Sequence, residues 1–206
     1  MTGANGRRRR SFNGLRASEA RVSHEDEHSW VCRAQAGDGT AFAALVDRYW
    51  PRVQRWLHGL TLDRQAAEDL AQEVFLKAWS HLASFVPGTN LRAWLFCIAR
   101  RCLIDSRRCG RSPPAGRLPD AVAGHEPGPV STLIGRETQT LVREAVARLP
   151  VVFRAAFLLR TQEELSYQEI ARVLELTEET VRWRVFKARK LLLQVLGNAL
   201  DPEPPS

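Results

Sequence analysis

The stretch "SYQEIARVLELTEETVRWRVFKARK", Ser166 to Lys190, decides how the second half of the chain folds. Ser166 and Glu169 have the S-x-x-E spacing of a capping box, in which hydroxyl and carboxylate each satisfy a backbone N–H at a helix start. Leu165 and Ile170 flank that start and can meet as a hydrophobic staple. The pattern then recurs: Thr177 can cap a second helix, and Leu176 can meet Val181. Two helix starts about eleven residues apart leave room only for a tight turn, the layout of a helix-turn-helix.

Spacing divides the second of these helices into two faces. Val181, Val185, Ala188 and Leu192 point inward, while Arg182, Trp183, Phe186, Lys187 and Lys190 point outward. From Glu178 to Leu193 there are five basic and two acidic residues. The two acids, Glu178 and Glu179, sit in the first turn, where they complement the helix dipole. Arg and Lys can donate to guanine edges in the major groove, and apolar groups can pack on thymine methyls. A helix-turn-helix also occurs in purely packing roles; the basic outer face favours DNA reading. Upstream, "LVREAVARLP" (Leu141–Pro150) and "VVFRAAFLLR" (Val151–Arg160) read as two packed helices, with Pro150 in the first turn of the second.

The first half of the chain is also helical. In "AAEDLAQEVFLKAWSHL" (Ala66–Leu82), Ala67, Leu70, Ala71, Val74, Phe75, Ala78, Trp79 and Leu82 recur at three- and four-residue steps and form a core face. Asp69, Gln72, Glu73 and Leu76 line a separate stripe of the same helix. Such a stripe can dock a basic helical partner or simply be solvated. In "NLRAWLFCIARRCLIDSRR" (Asn90–Arg108), Leu91, Trp94, Leu95, Ile98, Ala99 and Cys102 face inward, and Thr89 or Asn90 can cap the start. Outside, Arg92, Phe96 and Arg100 recur at four-residue steps, with Arg101, Arg107 and Arg108 beyond. Cations interleaved with an aromatic suit single-stranded DNA, the arginines following phosphates and the ring stacking on a base. The alternative is a solvated basic face with Phe96 tucked against a neighbour. In "TAFAALVDRYWPRVQRWL" (Thr40–Leu57), Pro51 should kink a helix or mark its boundary.

These readings predict an all-α chain of two modules. Residues 1–28 are polar, with Arg7–Arg10 basic and Glu25–Glu27 acidic, and read as a disordered tail. A first module spans 29–108, and a Gly/Pro-rich linker spans 109–131. The second module spans 132–197, and 198–206 is a loose end. The whole chain has 206 residues and a formal charge of +7, which suits a polyanionic partner. Its four cysteines form no CxxC and read as reduced thiols of a cytoplasmic protein. "RRRRSF" near the start is not followed by the apolar stretch an export signal needs, and no run approaches a membrane span. No metal cluster, phosphate loop or catalytic triad stands at readable spacing, so neither a cofactor nor an enzyme is expected.

In this order the segments resemble an extracytoplasmic-function sigma factor, the bacterial class with only regions two and four. Region two is carried by "AFAALVDRYWPRV", "AEDLAQEVFLKAW" and "PGTNLRAWLFCIARRCLID". Region four is carried by "LPVVFRAAFLLRTQEELSYQEIARVLELTEETVRWRVFKARKLL". The resemblance covers about 41–108 and 141–193. It implies a subunit that joins RNA polymerase core and directs it to promoter DNA. Asp69, Gln72, Glu73 and Leu76 would dock on a coiled coil of the largest polymerase subunit. Asn90, Arg92, Phe96, Arg100 and Arg101, with the loop "FVPGTN", would open the minus-ten element and hold an extruded base. Arg182, Trp183, Phe186 and Lys187 would read the minus-thirty-five duplex, with Ser166, Tyr167 and Arg189 on its backbone. Family members are often held inactive by an anti-sigma factor, so the resemblance admits that partner too.

Three residues depart from the family pattern. Arg101 stands where Asn is usual and adds a charge near the DNA backbone. Glu175 stands where the turn commonly has Gly; left-handed backbone there costs a non-Gly residue on the order of 1 kcal/mol. Trp183 stands where a small Ser is frequent, which changes the bases that fit. Two rival functions compete with this reading. A self-sufficient DNA-binding regulator would leave the first module's stripe and basic face unexplained. A helical protein-binding adaptor would leave the basic outer face of the last helix without a purpose.

Overall fold

The computed structural model describes residues 26–110 and 133–200. The arginine run at Arg7–Arg10, most of the linker and the last residues lie outside the described residues. Eight helices and one short 3-10 turn are described, and no strand occurs among them. They are α1 (26–35), α2 (Gly39–Thr61), α3 (Arg64–His81), the 3-10 turn Leu82–Ser84, α4 (Leu91–Arg108), α5 (Leu133–Arg148), α6 (Val151–Thr161), α7 (Tyr167–Leu174) and α8 (Glu178–Leu200). None of these helices is long and apolar enough to cross a membrane.

In the first module, α2, α3 and α4 pack together through their apolar faces. Short polar side chains set the helix starts. Asp38 accepts from the N–H groups of Thr40 and Ala41, Asp63 from that of Ala66, and Asn90 from that of Ala93. The helix over 26–35 corrects the expected tail boundary. Glu27 is drawn into structure because its carboxylate accepts from the Tyr49 hydroxyl and pairs with Arg48 at 3.4 Å. Gln35, at the end of α1, donates to the carbonyls of Leu82 and Phe85 and ties it to the end of α3. Pro51 is no boundary: α2 runs through it. Tyr49, Val53, Trp56, Leu57 and Leu60 on either side are all buried, and that burial holds the helix together across the missing N–H.

The second module follows the predicted corner closely. The capping box at Ser166 and Glu169 is complete. Glu175 ends α7 with φ 53 and ψ 53, the left-handed conformation. The Leu176 N–H then reaches back to the Ala171 carbonyl at 2.9 Å, closing a Schellman turn. Thr177 accepts from the Thr180 N–H and starts α8. Pro150 stands one position earlier than predicted, as the N-cap of α6 rather than within its first turn.

The two modules share one continuous hydrophobic core. α2 packs on α6, and α4 packs on α7. Gly59 permits the close approach of α2: a Cβ there would stand 2.6 Å from Leu158 Cδ1. The buried Trp56 indole donates to the Ala155 carbonyl at 3.4 Å. Arg154 is itself buried, and its guanidinium donates to the carbonyls of Ala147 and of Leu60 at the end of α2. A cation suits that helix C-terminus. Burial and the nearby Arg107 charge both lower the Arg154 pKa from its ordinary value.

Candidate functional site

The stripe predicted on α3 is open to solvent. Asp69 and Gln72 are exposed, Glu73 is half-buried, and Leu76 is 72% exposed. Glu73 holds Lys77 at 2.7 Å, and Asp69 accepts from Gln65 at 3.0 Å. The hydrogen bond from Lys77 to Glu73 raises the lysine pKa, against an opposing contribution from burial. Beside this stripe lies an apolar groove of about 510 Å³, lined by Phe42, Trp50, Phe75, Leu76 and Trp79. Its rings pack in pairs: Phe42 is tilted against Trp79 at 4.7 Å, and Trp50 stacks on Phe75 at 5.6 Å. Trp79 therefore departs from its predicted core role; it is 42% exposed because it sits at the edge of the apolar arc, where α2 leaves the groove open.

The second set of residues lies along α4. Arg92 and Arg100 are half-buried and Arg101 is exposed. Phe96 is a correction: it has no exposed surface and packs edge-on against Trp56 at 5.4 Å. Trp56 of α2 covers the ring that spacing placed outside, and α7 of the second module lies on α4. Phe96 is thus a core residue of the shared interior and offers no face to a base. Asn90 caps α4 with its carbonyl oxygen, while its amide donates to Glu169 Oε1 at 2.6 Å. Arg100 pairs with Glu175 at 2.8 Å.

A polar pocket of about 370 Å³ opens between α1, α2 and the start of α4. Glu27, Arg48, Tyr49, Arg52, Asn90 and Arg92 are among the residues around it. Burial and the Glu27 carboxylate push the Tyr49 hydroxyl well above its ordinary pKa, so it stays a donor. Arg48, Tyr49 and Arg52 were absent from the sequence-derived site. The available signal was their four-residue or shorter spacing along "DRYWPR", which places several of them on one side of α2.

On the second module, Arg182, Trp183, Phe186 and Arg189 are exposed and Lys187 is half-buried. Arg182 is held on both sides: its guanidinium bonds Glu178 at 2.6 Å and lies over the Tyr167 ring, 4.9 Å from the centroid. Arg160 also lies 4.9 Å from that ring. Trp183 leans on Phe153 of α6 at 5.5 Å, while Phe186 is free-standing at 65% exposure. Ser166 gives its hydroxyl and its N–H to the Glu169 carboxylate, so both donors are engaged inside the capping box. Although burial opposes it, bonds from Ser166 and Asn90 hold the Glu169 carboxyl below its ordinary pKa.

Two family descriptions match the chain: Sigma-70 region 2 over residues 45–112, and Sigma-70, region 4 over residues 139–192. The RNA polymerase sigma-H factor of Pseudomonas aeruginosa is 31% identical over 191 residues, covering 88% of this chain and 97% of that protein. The ECF RNA polymerase sigma-E factor of Escherichia coli is 32% identical over 186 residues, covering 84% of this chain and 93% of that protein. Among solved structures, the sigma factor RpoE of Bartonella quintana, in complex with the anti-sigma factor NepR, superposes with a TM-score of 0.61 at 27% identity. That superposition covers 76% of this chain and 96% of the other. CnrH, in complex with the cytosolic domain of CnrY, shares the fold with a TM-score of 0.62 at 23% identity. It covers 84% of this chain and 97% of that one.

Proposed function

Since the chain belongs to the extracytoplasmic-function sigma factors and serves promoter-directed transcription initiation, we propose how its two modules divide that work. The first module joins RNA polymerase core through Asp69, Gln72, Glu73 and Leu76, which dock on a coiled coil of the largest subunit. The observation that carries this reading is the exposed acidic stripe beside an aromatic groove, on a protein of net positive charge. Carboxylates supply attraction to a basic helix, and the groove supplies apolar burial for its side chains.

The start of α4 handles the minus-ten element. Asn90, Arg92, Arg100 and Arg101 follow the separated strand, and the polar pocket beside Asn90 receives an extruded base. Melting needs no chemistry of the protein's own. A subunit that prefers the unpaired strand shifts the duplex toward the open state by its binding energy. α8 reads the minus-thirty-five duplex through Arg182, Trp183, Phe186 and Lys187, with Ser166, Tyr167 and Arg189 positioning it on the backbone. Arg182 enters that task pre-ordered by Glu178 and Tyr167, which lowers the entropy lost on contact. As a polymerase subunit, the protein works in the cytoplasm, where the chromosome is. The complex of the Bartonella relative with an anti-sigma factor supports such a protein as a further partner.

Run-off transcription with purified core polymerase on a genomic fragment library tests the whole reading. Starts at defined promoters that require this protein are expected. Starts that do not depend on it, or none, would refute it.

A further inference from the structure

Glu175 carries a side chain at a left-handed position where the backbone favours glycine. Its carboxylate crosses to the other module and meets Arg100 at 2.8 Å. From the opposite end of α7, Glu169 crosses in the same direction and accepts from the Asn90 amide at 2.6 Å. Asn90 caps the start of α4 and Arg100 lies further along the helix, half-buried, and both are among the residues assigned to the minus-ten strand. Two acidic oxygens on α7 therefore stand against two strand-binding groups on α4. A nucleic-acid strand would bring anionic phosphate oxygens to such groups.

We propose that α7 is an internal stand-in for the promoter strand: in the free chain, Glu175 and Glu169 occupy Arg100 and Asn90 in place of phosphate oxygens and so close the minus-ten face. The proposal rests on the reading of Arg100 and Asn90 as strand contacts. The contacts divide the labour across the module boundary. Buried groups between α2 and α6, Trp56 with Ala155 and Gly59 against Leu158, bring the modules together. The α4–α7 ties are partly exposed and individually weak, which suits contacts that a ligand must displace. Glu175 has a second reason to be there: glycine would relieve the turn but leave Arg100 without its partner.

The test uses the full chain and a fluorescein-labelled oligo(dT) of about a dozen nucleotides, followed by anisotropy at low salt. Glu175→Gln keeps the bulk and the left-handed strain and removes the charge; Glu175→Gly removes both. Each is expected to bind the oligonucleotide on the order of threefold more tightly than the parent chain. Arg100→Ala is expected to weaken binding, and Glu175→Gln is expected to give no gain in that background. A gain of equal size with and without Arg100 would make Glu175 a general charge effect and overturn the proposal. No gain from Glu175→Gln, with Arg100→Ala still weakening binding, would overturn the latch and leave the strand-contact reading standing. If Arg100→Ala has no effect in the Glu175→Gln chain, the strand-contact reading fails and the latch falls with it.

Discussion

Glu163, in the connection between α6 and α7, has no exposed surface, and its Oε1 receives a hydrogen bond at 3.2 Å from Arg55 of α2. Arg52, one turn earlier on α2, stands 3.5 Å from Oε2 without a well-formed hydrogen bond. A carboxylate of the second module is thus neutralised wholly by the first. Arg55→Ala should strand that carboxylate. The expected loss is about 1–2 kcal/mol, less than for a fully buried pair because Arg55 is half exposed. Glu163→Gln, which keeps an acceptor, should cost less. Urea unfolding of the two variants compares them, and an Arg55→Ala loss no greater than that of Glu163→Gln would contradict the assignment.

Gly59→Ala would gain up to about 1 kcal/mol of helix propensity in an isolated α2. Here the new methyl would meet Leu158 Cδ1 at 2.6 Å, and Leu158 is itself buried. Forcing such a side chain off its rotamer costs about 1–3 kcal/mol. The modules should therefore separate more readily, seen as a larger radius of gyration by small-angle scattering. A radius equal to that of the parent would mean that Leu158 yields without moving α6.

Asp69→Lys combined with Glu73→Lys should abolish association with polymerase core while leaving the helical circular dichroism unchanged. Both side chains lie outside the core, so the fold loses only the Glu73–Lys77 pair, worth about 0.3–0.5 kcal/mol, and the exposed Gln65–Asp69 hydrogen bond. Co-purification with core polymerase checks this; retained association would remove the stripe from the interface.

Lys187→Ala should weaken binding to promoter duplex and lower the slope of log affinity against log salt by about one. An unaltered slope would take Lys187 out of the DNA contacts.

Glu169 carries a pH dependence whose sign follows from its lowered pKa. The ionised form is the one favoured by folding. Its contribution is fully present above the ordinary glutamate value of 4.5 and fades as pH falls through the lower folded value. Glu169→Gln can still close the capping box but has no charge to lose. As pH falls below 4.5, the parent should lose stability faster than Glu169→Gln in parallel denaturant titrations. Parallel curves would show that the carboxylate charge contributes nothing there.

The helix-turn-helix corner was almost wholly legible in sequence. Ser166, Glu169, Thr177 and the staple residues act on neighbours within one turn, so their spacing already contains the geometry. The apolar arcs of α3 and α4 were legible for the same reason, because 3.6 residues per turn decides which side chains share a face. Errors fell where a face meets something distant in sequence. Trp79 was placed in the core, yet the groove beside α2 leaves it open. The start of α1 was taken for a tail, because the attraction of Glu27 to Tyr49 and Arg48 reaches across more than twenty residues.

Local periodicity and cap spacing therefore determined most of the helices and their caps, and the resemblance to the family rested on the order of the quoted motifs. Periodicity could not say which of two outward stripes would be covered. That was decided by tertiary packing: Trp56 of α2 meets Phe96, and α7 lying on α4 pairs Arg100 with Glu175, a residue 75 positions away. The physical reason is that a helix specifies which residues share a face but not what stands opposite it. Only the joint burial of Trp56, Phe96, Leu158 and Leu159 in one core brings the two modules into register and gives Glu175 a partner.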